Sequence, residues 1–122
     1  MKRKTIRNHR DFVTSPDDLM VRAGCFIVKA KNAKFENDAR YGLVAAKKIF
    51  KLAVQRNRVK RVLRDWIAFN EKTMLPDLDY IFIARDSVLN TNREDGREQV
   101  CQALKKIAKL HTNNDKQAQY IY

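Results

Sequence analysis

Between Ala53 and Ile67 the apolar residues Val59, Val62, Leu63, Trp66 and Ile67 recur at the i, i+3, i+4, i+7, i+8 spacing of a helix that buries one side. Arg56, Asn57, Lys60, Arg61 and Arg64 fall on the other side, where a turn of helix or its neighbour separates each from the next. The segment Lys47 to Lys51 leads into this helix, which is expected to fade near Asn70 to Lys72, ahead of Pro76. A two-residue period governs Cys25 to Lys31, which reads as a strand with Phe26, Val28 and Ala30 on one face and Cys25, Ile27, Lys29 and Lys31 on the other. A second strand is expected from Ala39 to about Ala46, in which Gly42 lets another group approach closely. The continuous apolar run from Asp79 to Ala84 reads as a strand covered on both faces. Near the start, Asp11 to Val13 is expected to close a short helical turn, and Ser15-Pro16-Asp17-Asp18 reads as the cap and first turn of a helix through Leu19 to Arg22 that ends at Gly24. Asn92 and Asp95 cap a last helix, in which Val100, Cys101, Leu104, Ile107 and Ala108 keep helical spacing despite Gly96. From Thr112 onward the residues read as a mobile tail.

The predicted order is helix, strand, strand, helix, strand, helix. It describes an α+β sandwich of a small sheet and helices in one domain over residues 1–122, with a basic arm at about 1–7. An exposed sheet face or groove is left as a possible second site.

Charge changes the picture of the central helix. Lys and Arg number 26 against 14 Asp and Glu, a formal net charge of +12 on 122 residues. A balance so far from neutral is self-repulsive, and a polyanion whose counterions are released on binding is its usual partner. Nucleic acid fits this description. Membrane binding does not fit, because no stretch spans a bilayer and the aromatics of the basic helix belong to its apolar side.

Cys25 and Cys101 make no disulfide framework, and with only His9 and His111 beside them there is no zinc spacing, so both read as small apolar residues. Met1-Lys2-Arg3-Lys4 is followed by no apolar stretch of the secretory kind, which makes the cytoplasm the expected location. A protein-only nuclease needs acids or histidines gathered around metal ions or a nucleophile. Asp77, Asp79, Asp86, Glu94 and Asp95 share no such motif and read as helix caps or strand-end residues. A DNA reader of the helix-turn-helix type lacks its partner helix, since a strand precedes the basic helix. A structural RNA-binding module, such as a ribosomal protein, shares the charge and the fold class.

The arrangement Gly42-Leu43, Lys47-Lys48, Ala53-Val54, Arg56-Asn57-Arg58, Val59, Lys60-Arg61, Leu63 and Arg64 resembles the protein subunit of bacterial ribonuclease P. The early Asp11-Phe12 pair and the strand Asp79 to Arg85 resemble the same family, so that the likeness runs from about Ile6 to Leu110. It implies a compact α-β sandwich of the ribosomal-protein RNA-binding kind, with a left-handed βαβ crossover carrying the basic helix; without it the right-handed default would be expected. It also implies a ribonucleoprotein that removes 5′ leaders from precursor tRNA, in which a large RNA carries the catalytic site and the protein contributes no catalytic residue.

Carried over by position, Lys47, Lys48, Arg56, Asn57, Arg58, Lys60, Arg61 and Arg64 would meet the catalytic RNA. A cleft formed with Phe12, Phe26, Val28 and Lys29 would hold the single-stranded leader of precursor tRNA. Lys29 stands where relatives often carry an aromatic, which substitutes charge for stacking. Mg²⁺ would be held mainly by RNA and substrate, and neither a membrane nor a protein partner is called for.

Overall fold

Leu78–Ala84 (β5) forms the middle of a five-stranded sheet, as its apolar run requires. In the computed structural model, which describes residues 3–35 and 38–120, the strands are Lys4–Thr5 (β1), Leu19–Arg22 (β2), Phe26–Asn32 (β3), Arg40–Val44 (β4) and β5. Their order across the sheet is β1-β4-β5-β3-β2. β3 pairs antiparallel with both β5 and β2, whereas β4 runs parallel to β5 and β1 parallel to β4, giving a mixed sheet. Met1 and Lys2 of the expected basic arm, Glu36 and Asn37, and residues 121–122 of the expected tail lie outside the described residues.

The helix Ala53–Phe69 (α1) connects β4 to its parallel neighbour β5, and Arg93–Tyr120 (α2) follows β5 after a 3-10 turn at Asp86–Asn90. Asn92 caps α2 as its sequence predicts: its Oδ1 accepts from the Asp95 N–H at 2.8 Å. The segment from Thr112, expected as a tail, continues α2 as helical backbone to Tyr120. Both helices pack on the sheet face that carries Phe26, Val28 and Ala30 of β3, Tyr41 of β4, and Tyr80, Phe82 and Ala84 of β5. Val59, Leu63, Trp66 and Ile67 of α1 and Val100, Ala103, Leu104 and Ile107 of α2 complete this core. The two helices come together closely where Gly96 meets Trp66, since a Cβ at Gly96 would overlap the indole ring. That contact explains a glycine inside an otherwise regular helix.

One predicted element is corrected. Leu19–Arg22 is the edge strand β2 rather than a helix, pairing Leu19 with Ala30 and Val21 with Val28. The residues ahead of it form a turn instead of a cap: Ser15 N–H donates to Asp18 Oδ2 at 2.7 Å, and Asp18 N–H to Ser15 O at 3.0 Å. Four residues offer too few helical hydrogen bonds to offset nucleation, and the alternation of Leu19 and Val21 lets the segment extend the sheet.

Candidate nucleic-acid interface

The cationic ridge stands on the side of α1 opposite its buried stripe. Asn57, Arg58, Arg61 and Arg64 are exposed and Lys60 is half-buried, while Lys47 and Lys48 are exposed in the turn that precedes the helix. Arg56 behaves differently. Its Nη1 donates to Phe50 O at 2.8 Å and to Lys51 O at 3.1 Å, so the guanidinium ties the approach loop to the first turn of the helix. At 100° per residue, Lys60 and Arg64 lean to the β4 flank and Arg58 to the α2 flank, with Arg61 between them. Burial raises the pKa of the Tyr41 phenol, and the Arg64 guanidinium offsets part of the rise. Asp65, the acid within the ridge, is matched from α2 by Arg97 at 3.2 Å and Arg93 at 3.8 Å. The ridge therefore presents a nearly unbroken positive field.

A second surface lies on the sheet face that the helices leave open. Ile27 and Lys29 of β3, Gly42 and Val44 of β4, and Ile81 and Ile83 of β5 point to it, by alternation from their buried neighbours. The 3-10 turn His9–Phe12 crosses one end of this face, and Phe12 lies directly over Gly42, where a Cβ would come within 2.5 Å of its ring. The close approach anticipated at Gly42 is thus made by the Phe12 ring, which remains half-exposed. Lys29 Nζ donates to Thr14 Oγ1 at 3.1 Å, and Lys31 Nζ to Asp11 O at 2.5 Å and Val13 O at 3.2 Å. These lysines fasten the segment after the turn to the sheet.

Phe26 and Val28 do not belong to this surface. Both are 0 % exposed on the helix-covered face, where the Phe26 ring packs against Phe82 at 5.7 Å between centroids. The expected cleft cannot include them, because the helices cover that face; the residues of β3 that face the open side are Ile27 and Lys29.

A model of the family described as Ribonuclease P matches residues 1–108. The chain belongs to the ribonuclease P protein family. The Ribonuclease P protein component of Lactobacillus delbrueckii subsp. bulgaricus is 32 % identical over 102 residues, covering 81 % of this chain and 83 % of that protein. Its counterpart in a Marinomonas species is 35 % identical over 89 residues, or 73 % of this chain and 66 % of that protein. Among solved structures, the Staphylococcus aureus RNase P protein superposes with a TM-score of 0.69 at 27 % identity, covering 85 % of this chain and 94 % of that one. The Thermotoga maritima RNase P protein gives 0.71 over 85 % of this chain and 97 % of its own; at 24 % identity it speaks for the fold alone. The α+β architecture with its mixed five-stranded sheet is that of the family, and the chain is a protein subunit of ribonuclease P.

In this family member the open face is closed at one end by a charged network that the sequence reading missed. Arg40 Nη1 donates to Asp11 Oδ2 at 2.9 Å and Nη2 to Asp79 Oδ2 at 3.2 Å, while Lys34 Nζ holds Asp11 Oδ1 at 3.0 Å. Asp79 also accepts from the Arg40 backbone N–H at 2.7 Å and is 0 % exposed. The hydrogen bond from Arg40, then that from Lys34, holds the Asp11 carboxyl below its ordinary pKa of 3.8. The signal was available: an acid one residue into the buried run Leu78 to Ala84 requires a cationic partner. The network fixes Asp11, and through it the neighbouring Phe12, against the sheet.

Proposed function

We propose that the two surfaces divide the work of ribonuclease P between them: the α1 ridge meets the catalytic RNA, and the open sheet face takes the single-stranded 5′ leader of precursor tRNA. The observation that carries this reading is the Phe12 ring, half-exposed and fixed over Gly42 on the sheet face that no helix covers. A single strand on such a surface gains about 1 to 3 kcal/mol for each base stacked on an aromatic, and its phosphates pair with nearby cations. Lys29 supplies one of these at the end of the face marked by Thr14.

Arg58, Lys60, Arg61 and Arg64, with Lys47 and Lys48 at the helix entrance, neutralise RNA phosphates and release their counterions. Catalyst and substrate are both polyanions, and a rigid cationic body between them lowers the cost of bringing them together. Its contribution is to binding and position, while the chemistry belongs to the RNA. Among the described residues no three His, Cys, Asp or Glu side chains come together, and Asp11 and Asp79 are engaged by Arg40. On this reading Mg²⁺ is held mainly by RNA and substrate phosphates.

The test mixes the protein with a bacterial ribonuclease P RNA and a leader-bearing tRNA at limiting Mg²⁺. Cleavage faster with the protein than with the RNA alone, and dependent on the leader for tight binding, is the expected result. Equal affinity for precursor and mature tRNA would refute the leader site.

A further inference from the structure

On the flank of α1 that turns toward α2, one aromatic stands in the open. Phe69 is 64 % exposed at the end of a helix whose other large apolar residues nearby, Trp66 and Ile67, are sealed in the core. The Arg97 guanidinium of α2 covers part of it, with Cζ 4.2 Å from the ring centroid, a cation-π stacking distance. Arg97 is itself held in place. Its Nη2 donates to Asp65 Oδ1 at 3.2 Å, and its backbone carbonyl accepts from Asn70 Nδ2 at 2.9 Å, an amide that also donates to Trp66 O at 2.9 Å at the end of α1. The ring is thus braced from behind by a fixed cation and presented to solvent on a rigid helix end.

The charge around it selects what can lie there. At 100° per residue, Arg58, Arg61, Asp65 and Phe69 fall within about 80° of one another on the helix surface, and Arg93 and Arg97 border this strip from α2. Asp65 is matched by both of those arginines. A second copy of the chain would bring a like-charged flank against this one and be repelled, whereas a nucleic acid brings phosphates to the arginines and a flat π-face to the ring.

We propose that Phe69, backed by Arg97, is a stacking platform for one unpaired base of the ribonuclease P RNA, distinct from the open sheet face that takes the leader. The inference rests on α1 facing that RNA, and it extends the contact from the cationic ridge to the α1–α2 junction. The platform adds a non-ionic term to a surface that otherwise binds through charge. Its affinity contribution should therefore survive at salt concentrations that weaken the ridge.

The experiment measures binding of the full-length protein to a bacterial ribonuclease P RNA across a salt series, for the parent and for Phe69→Ala, Phe69→Leu, Phe69→Trp and Arg61→Ala. Phe69→Ala and Phe69→Leu are expected to weaken binding by about 5- to 150-fold, the range for one stacked base, without changing the salt slope. Phe69→Trp should bind as tightly as the parent, and Arg61→Ala should lower the slope by about 1. Thermal melts confirm that each variant is folded at the assay temperature. If Phe69→Ala and Phe69→Leu bind within twofold of the parent while Arg61→Ala loses affinity, the platform is refuted and the ridge stands. If Phe69→Leu binds like the parent while Phe69→Ala does not, the contact is apolar packing and the stacking proposal is also refuted. Loss of effect in every variant, Arg61→Ala included, would instead overturn the assignment of α1 to RNA.

Discussion

The two faces of strand β3 carry residues of similar appearance to opposite ends. Phe26, Val28 and Ala30 are sealed under α1 and α2, whereas Ile27, Lys29 and Lys31 look onto the uncovered side. Alternation separates the two sets with certainty, but it does not say which set the helices cover. Aromatic content points the wrong way here: Phe26 is core, and the open face obtains its aromatic from Phe12, delivered by a turn fourteen residues upstream. On the proposed reading, the leader meets a side chain that crosses over the strands rather than one that projects from them.

The strongest way to break this contrast is to empty the covered face. Phe26→Ala and Trp66→Ala each leave a cavity in the core and should cost about 3 to 5 kcal/mol of stability by denaturant titration. A loss below about 1 kcal/mol for Phe26→Ala would move that residue back toward the open side. Cutting the network at the end of the open face comes next. Arg40→Ala strands the buried Asp79 carboxylate and should cost on the order of 3 kcal/mol, and weaken leader binding as well because Asp11 and Phe12 lose their anchor.

Gly42→Val sharpens the comparison at the point where the turn meets the sheet. The added methyl groups collide with the Phe12 ring, so a destabilisation of about 1 to 3 kcal/mol is expected together with weaker precursor binding. Phe12→Ala should reduce the preference for precursor over mature tRNA by about 5- to 150-fold, and equal loss for both RNAs would make Phe12 a packing residue only. Arg58, Lys60, Arg61 and Arg64 of α1, with Lys47 and Lys48 at its entrance, together predict a logarithmic salt slope of about −4.2 to −5.4 for RNA binding. Arg56 is left out of that sum because its guanidinium is held by Phe50 O and Lys51 O. Arg56→Ala should thus lower the melting temperature more than it changes the slope.

The smallest effect is that of acid. The folded Asp11 carboxyl has a pKa below 3.8, so its contribution to stability is complete above that value and is lost as the pH falls through the lower, folded one. Asp11→Asn should remove this part of the acid transition in thermal melts, leaving stability at neutral pH reduced and less dependent on pH in the acid range.

Periodicity made much of the fold legible. The helical stripe of α1, the alternation of β3, the closed run of β5 and the Asn92 cap of α2 each follow from local spacing and appear as read. Two short elements did not. β2 has four residues behind a Ser-Pro-Asp-Asp turn that resembles a helix cap, and β1 has two, so neither carries enough period to outvote its flanks. In the site, charge and spacing located the ridge, since exposure follows directly from the helical wheel. The hold of Arg56 on Phe50 O and Lys51 O was not legible, because a long basic side chain can turn back onto carbonyls, which no wheel shows. The Asp11–Arg40–Asp79 network joins three segments distant in sequence, and only the folded sheet brings them together.

The division of labour between the α1 ridge and the open sheet face is tested most directly by single-turnover cleavage of precursor tRNA at limiting Mg²⁺, with a bacterial ribonuclease P RNA and either the parent protein or Phe12→Ala. The account predicts that the variant still assembles with the RNA at the parent's salt slope yet loses most of the advantage that a leader confers on substrate binding. Full leader-dependent enhancement by Phe12→Ala, in a variant shown to be folded, would contradict it.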